Sequence, residues 1–180
     1  SRKLKVGIAG YGVVGKRRRA VINALDSLEV TCVSDRVLGD GYLDDGVPHF
    51  GDYKKLLNQD LDILFVSLSN DINADATISG LERGMHVFCE KPPGRDIADI
   101  VRVIAAEKRF PKLKLKYGFN HRYHDSIREA LEILKSGELG KVINLRAVYG
   151  KSQLITFNQT SWRTQRELSG GGVLLDQGIH

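Results

Sequence analysis

The sequence predicts an α/β protein, a doubly wound parallel sheet followed by the beginning of an incomplete α+β domain. Three observations carry that prediction. Short continuous apolar runs, the pattern of strands buried on both faces, alternate with amphipathic stretches. A glycine-rich turn joins the first run to the first helical stretch, and the alternation gives way to another pattern after Asn120.

The first run, Lys5-Val6-Gly7-Ile8-Ala9, reads as a buried strand. Val13 to Leu25 follows as a helix with Val14, Val21, Ile22 and Leu25 as its apolar stripe. Val30-Thr31-Cys32-Val33-Ser34, ending in Asp35, is the second strand, and a strand-helix-strand unit of about 30 residues is the size of one right-handed crossover. A short segment near Pro48-Phe50, a helix around Asp52–Leu57 and a strand over residues 62–67 come next. Asn70 to Arg83 is a helix closed by Gly84, which can adopt the left-handed conformation that ends helices. His86-Val87-Phe88-Cys89 is a further buried strand, and a helix over Ile97–Lys108 with a strand over Leu113–Phe119 completes the doubly wound set. Beyond Asn120, a helix over Ser126–Ser136, capped by Gly137, feeds a strand-like run over Val142–Tyr149, and Gly150 to His180 is polar and glycine-rich. A first domain is therefore expected at residues 1–120, and residues 121–180 read as the first part of a second. About sixty residues are too few to close an independent core, so a piece of a longer protein is expected.

Composition narrows the class. The 180 residues are 42% hydrophobic and 27% charged, with 19 glycines and 4 prolines, a globular profile that excludes collagen-like repeats and disorder. The two cysteines, Cys32 and Cys89, each lie inside an apolar run and are expected to be buried free thiols. Net charge is +5, and the run Lys16-Arg17-Arg18-Arg19 falls one turn into the first helix without aromatic interleaving or a DNA-reading motif. Cations there point to solvent or help hold a phosphate, and no nucleic-acid partner is expected. No apolar stretch approaches the ~20 residues needed to span a bilayer and no signal-peptide pattern is found, so a cytoplasmic protein without a membrane partner is expected.

Four sequence features carry chemistry. Gly10-Tyr11-Gly12-Val13-Val14-Gly15 is G-x-G-x-x-G placed between a strand and a helix. Its first glycine suits a tight turn, its second a close approach to pyrophosphate, and its third the packing of helix on strand, as in the Rossmann fold. Asp35 ends the second strand, where a carboxylate accepts ribose hydroxyls and repels a 2′-phosphate, which favours NAD; Arg36 instead covers an adenine face or pairs with a 2′-phosphate, which leaves NADP open. Ser67, which ends the strand over residues 62–67, and Ser69 and Asn70 just past it are expected to contact the cofactor, and Glu90-Lys91-Pro92 sits at the carboxyl end of a buried strand, the edge where open α/β sheets bind ligands. Lys91 there can orient a carboxamide or a substrate oxygen. Finally, Trp162-Arg163 precedes a glycine-rich stretch ending in Asp176-Gln177-Gly178-Ile179-His180. If the chain from Val173 is helical, Asp176 and His180 share one face, and a carboxylate can tune an imidazole that moves protons near neutral pH. Two such ligands without a third make a metal site an unfavoured reading.

In this order and spacing, G-x-G-x-x-G, the acidic strand end, E-K-P, Gly118-Phe119-Asn120-x-Arg122, the W-R pair and G-G-G-x-x-x-D-x-G-x-H resemble the glucose-fructose oxidoreductase / inositol dehydrogenase family over nearly the whole chain. The resemblance implies reversible hydride transfer between a nicotinamide cofactor, NAD or NADP, and a secondary alcohol of a sugar, nucleotide-sugar or polyol. A non-catalytic NAD(P)-binding regulator on the same fold is the alternative. The resemblance also implies Lys91, Asp176 and His180 as a catalytic trio, Asn120, Trp162 and Arg163 as nicotinamide-side contacts, an often cis Lys91-Pro92 bond, a substrate-walling second domain and homo-oligomers of the full-length protein. By the same reasoning the 180-residue chain should bind dinucleotide without turning over substrate. One departure stands out: after the strand over residues 62–67 the family commonly has a T-P-N-like turn with a histidine shortly after, whereas this chain reads Ser67-Leu68-Ser69-Asn70, with Asn73 at the place of that histidine.

Overall fold

The computed structural model describes residues 2–150 and 161–180. Its elements in chain order are β1 (Leu4–Ala9), α1 (Val13–Asn23), β2 (Leu28–Ser34), β3 (Gly41–Tyr42), β4 (Pro48–Phe50), α2 (Tyr53–Leu56), β5 (Ile63–Val66), α3 (Asn70–Glu82), β6 (His86–Cys89), α4 (Ile97–Arg109), β7 (Leu115–Tyr117), α5 (Asp125–Ser136), α6 (Arg166–Ser169) and α7 (Val173–Asp176). Single 3₁₀ turns cover Asn120–Tyr123 and Trp162–Thr164. The strands form one seven-stranded sheet in the order β3-β4-β2-β1-β5-β6-β7. Every pairing is parallel except β3 with β4. Strand order reverses between β1 and β5, so the chain leaves their carboxyl ends in opposite directions and opens a crevice there, the switch point of a doubly wound sheet.

Central strands are apolar on both faces because helices cover both: Val6, Ile8, Ala9, Val33, Leu64, Val66 and Cys89 are fully buried. Cys32 and Cys89 are free, and burial pushes their thiols up to about 11 and about 12, which leaves them inert packing groups. Helix ends follow their local chemistry. Asp96 caps α4 by accepting the Asp99 amide, and Gly84 and Gly137 sit at positive φ just past α3 and α5.

Three expectations are corrected. Of the expected apolar stripe of α1 only Ile22 is buried, in line with Gly15, while Val14, Val21 and Leu25 are exposed. At about 100° per residue, 14, 21 and 25 form one line and 15 and 22 the next, and Gly15 allows the second line to press on the sheet. Val142–Tyr149 forms no strand, for no neighbouring strand among the described residues pairs with it. The helix from Val173 ends at Asp176, so Asp176 and His180 are not one turn apart on a helical face; Gly178 follows within a turn. No helix among the described residues is long and apolar enough to cross a membrane.

Candidate active site

The glycine-rich turn is built by backbone crowding. Gly10 has φ 91°, and a Cβ there would stand 2.2 Å from the Ser67 carbonyl oxygen at the end of β5. A Cβ on Gly15 would lie 2.0 Å from the Gly10 carbonyl oxygen. These two glycines let the turn close. Gly12 differs, because a Cβ there meets nothing within 4 Å and the residue is exposed. No side chain caps the start of α1, so its first amides and the positive end of its dipole are presented beside that space, with Val13 and Val14 exposed around it. The fit to a dinucleotide phosphate is direct.

Asp35 ties this turn to β2. Its Oδ2 accepts the Tyr11 amide at 3.0 Å and its Oδ1 the Val37 amide at 2.9 Å, which leaves each oxygen a second lone pair for a ligand hydroxyl. Arg36 is exposed. Tyr11 points inward, its hydroxyl accepting from Arg19 at 2.9 Å. The basic run is thus not simply solvated. Arg19 also pairs with Asp45, and Arg18 reaches Glu90 at 2.5 Å while its guanidinium lies 5.0 Å from the Phe88 ring centroid.

That Arg18–Glu90 pair steadies the residue before Lys91. The Lys91–Pro92 peptide is cis, and the Pro92 carbonyl accepts from the Asn73 amide at 3.0 Å. Asn73, a departure in the sequence, is therefore a buried clamp on this loop. Lys91 Nζ donates to the Asp176 carboxylate at 2.9 Å and to the Asp176 carbonyl at 2.5 Å. Burial pushes the Asp176 carboxyl up, but the Lys91 ammonium, the Gln177 amide at 2.8 Å and the nearby Arg163 charge outweigh it and hold that carboxyl below the usual carboxylate range.

His180 completes the cluster without hydrogen-bonding to Asp176. Its ring stacks on His121 with centroids 3.8 Å apart and meets the Phe119 ring edge-on at 6.5 Å. Its Nδ1 is buried with no partner among the described residues. Burial first, then the charges of His121 and Lys91, draws its pKa below the ordinary imidazole value; Asp176 opposes them and His124 adds to them. His121 was not visible as a site residue in the sequence.

The remaining candidates divide. Arg163 lies 4.5 Å from the Trp162 ring centroid in the turn leading to α6, and Asn120 opens the exposed turn after β7. Ser67 extends the β5 edge, its amide bonded to Ala9, and Ser69 precedes α3. Asn70 faces inward instead: its amide donates to the Ser169 carbonyl at 2.8 Å, which docks α6 on α3. Among the described residues no group of histidine, cysteine, aspartate and glutamate could hold a metal ion.

A glycine-rich turn at the switch point of a doubly wound sheet, with a lysine–carboxylate–histidine cluster along the same sheet edge, defines the class, a Rossmann-type nucleotide-binding scaffold. The comparisons with known proteins give the particular family. Residues 4–119 match the model described as "Oxidoreductase family, NAD-binding Rossmann fold" (GFO_IDH_MocA), and residues 127–180 match "GFO/IDH/MocA C-terminal domain". The chain belongs to this family. It is 34% identical over 146 residues to an inositol 2-dehydrogenase of Salmonella typhimurium, covering 77% of this chain and 43% of that protein. A 1,5-anhydro-D-fructose reductase of Ensifer adhaerens is 29% identical over 126 residues, 67% of this chain and 35% of the relative. Among solved structures, an NAD-binding protein from Listeria innocua superposes with TM-score 0.82 and 27% identity over 100% of this chain and 51% of its own. A scyllo-inositol dehydrogenase from Lactobacillus casei with bound NAD(H) and scyllo-inositol gives TM-score 0.68 and 26% identity, covering 77% of this chain and 43% of that one. The chain spans less than half the length of these curated relatives.

Proposed function

We propose that the full-length protein is a nicotinamide-dependent oxidoreductase that interconverts a secondary alcohol and a ketone on a sugar, nucleotide-sugar or polyol. The observation that carries this reading is Lys91 held by Asp176 beside His180, at the edge of β6 and two strand spacings, about 10 Å, from the phosphate-binding turn. When bound, the dinucleotide supplies the hydride acceptor or donor. The residues supply position and proton transfer.

His180 takes the hydroxyl proton as the carbon is oxidised and returns it in the reverse direction. Because Nδ1 is buried, Nε2 is the nitrogen left for that exchange. Lys91 orients the reacting oxygen and offsets its developing negative charge, and Asp176 fixes Lys91 by two hydrogen bonds. Trp162, Arg163 and Asn120 are assigned to the nicotinamide side, and Ser67, Ser69 and Glu90 to the edge between the turn and Lys91. The free lone pairs of Asp35 favour the unphosphorylated ribose of NAD over NADP.

The test is turnover. Full-length protein is mixed with NAD or NADP and a panel of polyols, sugars and nucleotide-sugars, and reduced nicotinamide is followed by absorbance. Oxidation of at least one polyhydroxylated substrate is expected; tight dinucleotide binding with no turnover across the panel in either direction would overturn the reading.

A further inference from the structure

We propose that His121 is a positioning residue for His180, its ring clamping the His180 imidazole by stacking and opposing a second positive charge beside it. The inference rests on the oxidoreductase reading, in which His180 must accept a proton.

The geometry is specific. The two rings lie 22° from parallel with centroids 3.8 Å apart, closer than any other ring pair among the described residues. His121 also has the rings of His124 at 5.0 Å and Tyr149 at 5.1 Å. The turn Asn120–Tyr123 that presents it is separated from β7 by two residues, and the Gly118 amide bonded to the Cys89 carbonyl ties that link to β6. Around His180 stand Lys91 from the loop after β6, Asp176 from α7, His121 and His124 from the turn after β7, and Tyr149 at 6.4 Å. Asp176 is the one anion in that set, and its carboxylate already accepts from Lys91.

An imidazolium must donate from both ring nitrogens. Nδ1 of His180 is buried away from solvent and finds no acceptor among the described residues, so the charged ring would leave a donor unsatisfied. A cation on His121 at stacking distance adds repulsion of the same sign. Both effects favour neutral His180, the form able to take an alcohol proton at physiological pH. A ring on its face also holds the imidazole at one orientation, which a general base requires.

The experiment separates this role from mere packing and from the oxidoreductase reading itself. In full-length protein labelled at the histidine ring carbons, the His180 resonance, assigned by its loss in His180→Gln, is titrated in the parent, in His121→Phe and in His121→Asn. His121→Phe keeps an aromatic ring on His180 but cannot take up a proton. We expect the parent His180 to titrate below the ordinary imidazole value of about 6.5, and both variants to raise that midpoint by roughly half a unit or more. The acidic limb of the pH profile of kcat/KM moves up with it. No substrate is needed for the titration, so an inactive preparation leaves it readable. An unchanged His180 midpoint in both variants would overturn the inference.

Discussion

Replacing Gly12 by alanine separates dinucleotide binding from folding. The backbone at Gly12 is extended, φ −74° and ψ −159°, which alanine adopts freely, and its Cβ would enter space with no heavy atom within 4 Å. Alanine is a poorer helix N-cap than glycine by some tenths of a kcal/mol, while the stiffer unfolded chain returns about 0.4–1 kcal/mol. These offset each other, and net stability should change by less than about 1 kcal/mol, a shift of roughly 2–4 °C in a chain of this size. The same methyl group stands where a phosphate must approach the first amides of α1. Losing one hydrogen bond to a charged group costs about 1.5–3 kcal/mol, which corresponds to roughly tenfold to 150-fold in Kd. Fluorescence titration with NADH and a thermal melt on the same preparations test both halves. Parent-like affinity in Gly12→Ala would refute the phosphate assignment, and a large fall in Tm would show that the space beside Gly12 is not open.

Gly15→Ala should behave oppositely, losing about 1–3 kcal/mol in denaturant unfolding because its Cβ would collide with the Gly10 carbonyl oxygen at 2.0 Å; an unchanged midpoint would contradict that packing. Asp99 supplies a pH prediction. Burial pushes its carboxyl up, but the Arg95 amide and the Arg102 and Arg95 guanidinium groups outweigh burial and hold it at about 2. Its folded value lies below the unfolded one, so the stability it adds, about 2 kcal/mol, is full above about pH 4 and lost as pH falls through about 2. Asp99→Asn should therefore be less stable than the parent near neutrality and equal to it near pH 2, and parallel curves over the whole range would refute the account. On the role proposed for Asp35, NADH should bind more tightly than NADPH, and a tenfold preference for NADPH, about 1.4 kcal/mol, would remove that assignment.

Local signals made most of the fold legible. The turn at Gly10–Gly15 and the boundaries of α3, β6, α4 and α5 follow from apolar period, caps and glycine, which act within a few residues. The two-residue β3 carries no such signal, since its pairing with β4 is set across the hairpin at Leu43 and Val47. Val142–Tyr149 shows the converse: a run with strand character remains irregular where no strand among the described residues pairs with it. In the site, Lys91, Asp176 and His180 were legible as residue types in order, yet their arrangement was not. The helical spacing expected for Asp176 and His180 fails because α7 stops at Asp176, and Asp176 serves Lys91. His121 was missed because its partner is distant in sequence. Only the histidine pair at 121 and 124, directly after a strand end, could have pointed to it.

The central claim is that Lys91 and His180 act on the reacting oxygen while the glycine-rich turn binds the cofactor. Single-turnover rates and NADH affinity of full-length Lys91→Ala and His180→Ala, measured on the same preparations, test it most directly. Each variant should lose about 10²–10⁴ in rate while its dinucleotide affinity stays within about tenfold. An unchanged rate in either variant, with affinity intact, would contradict it.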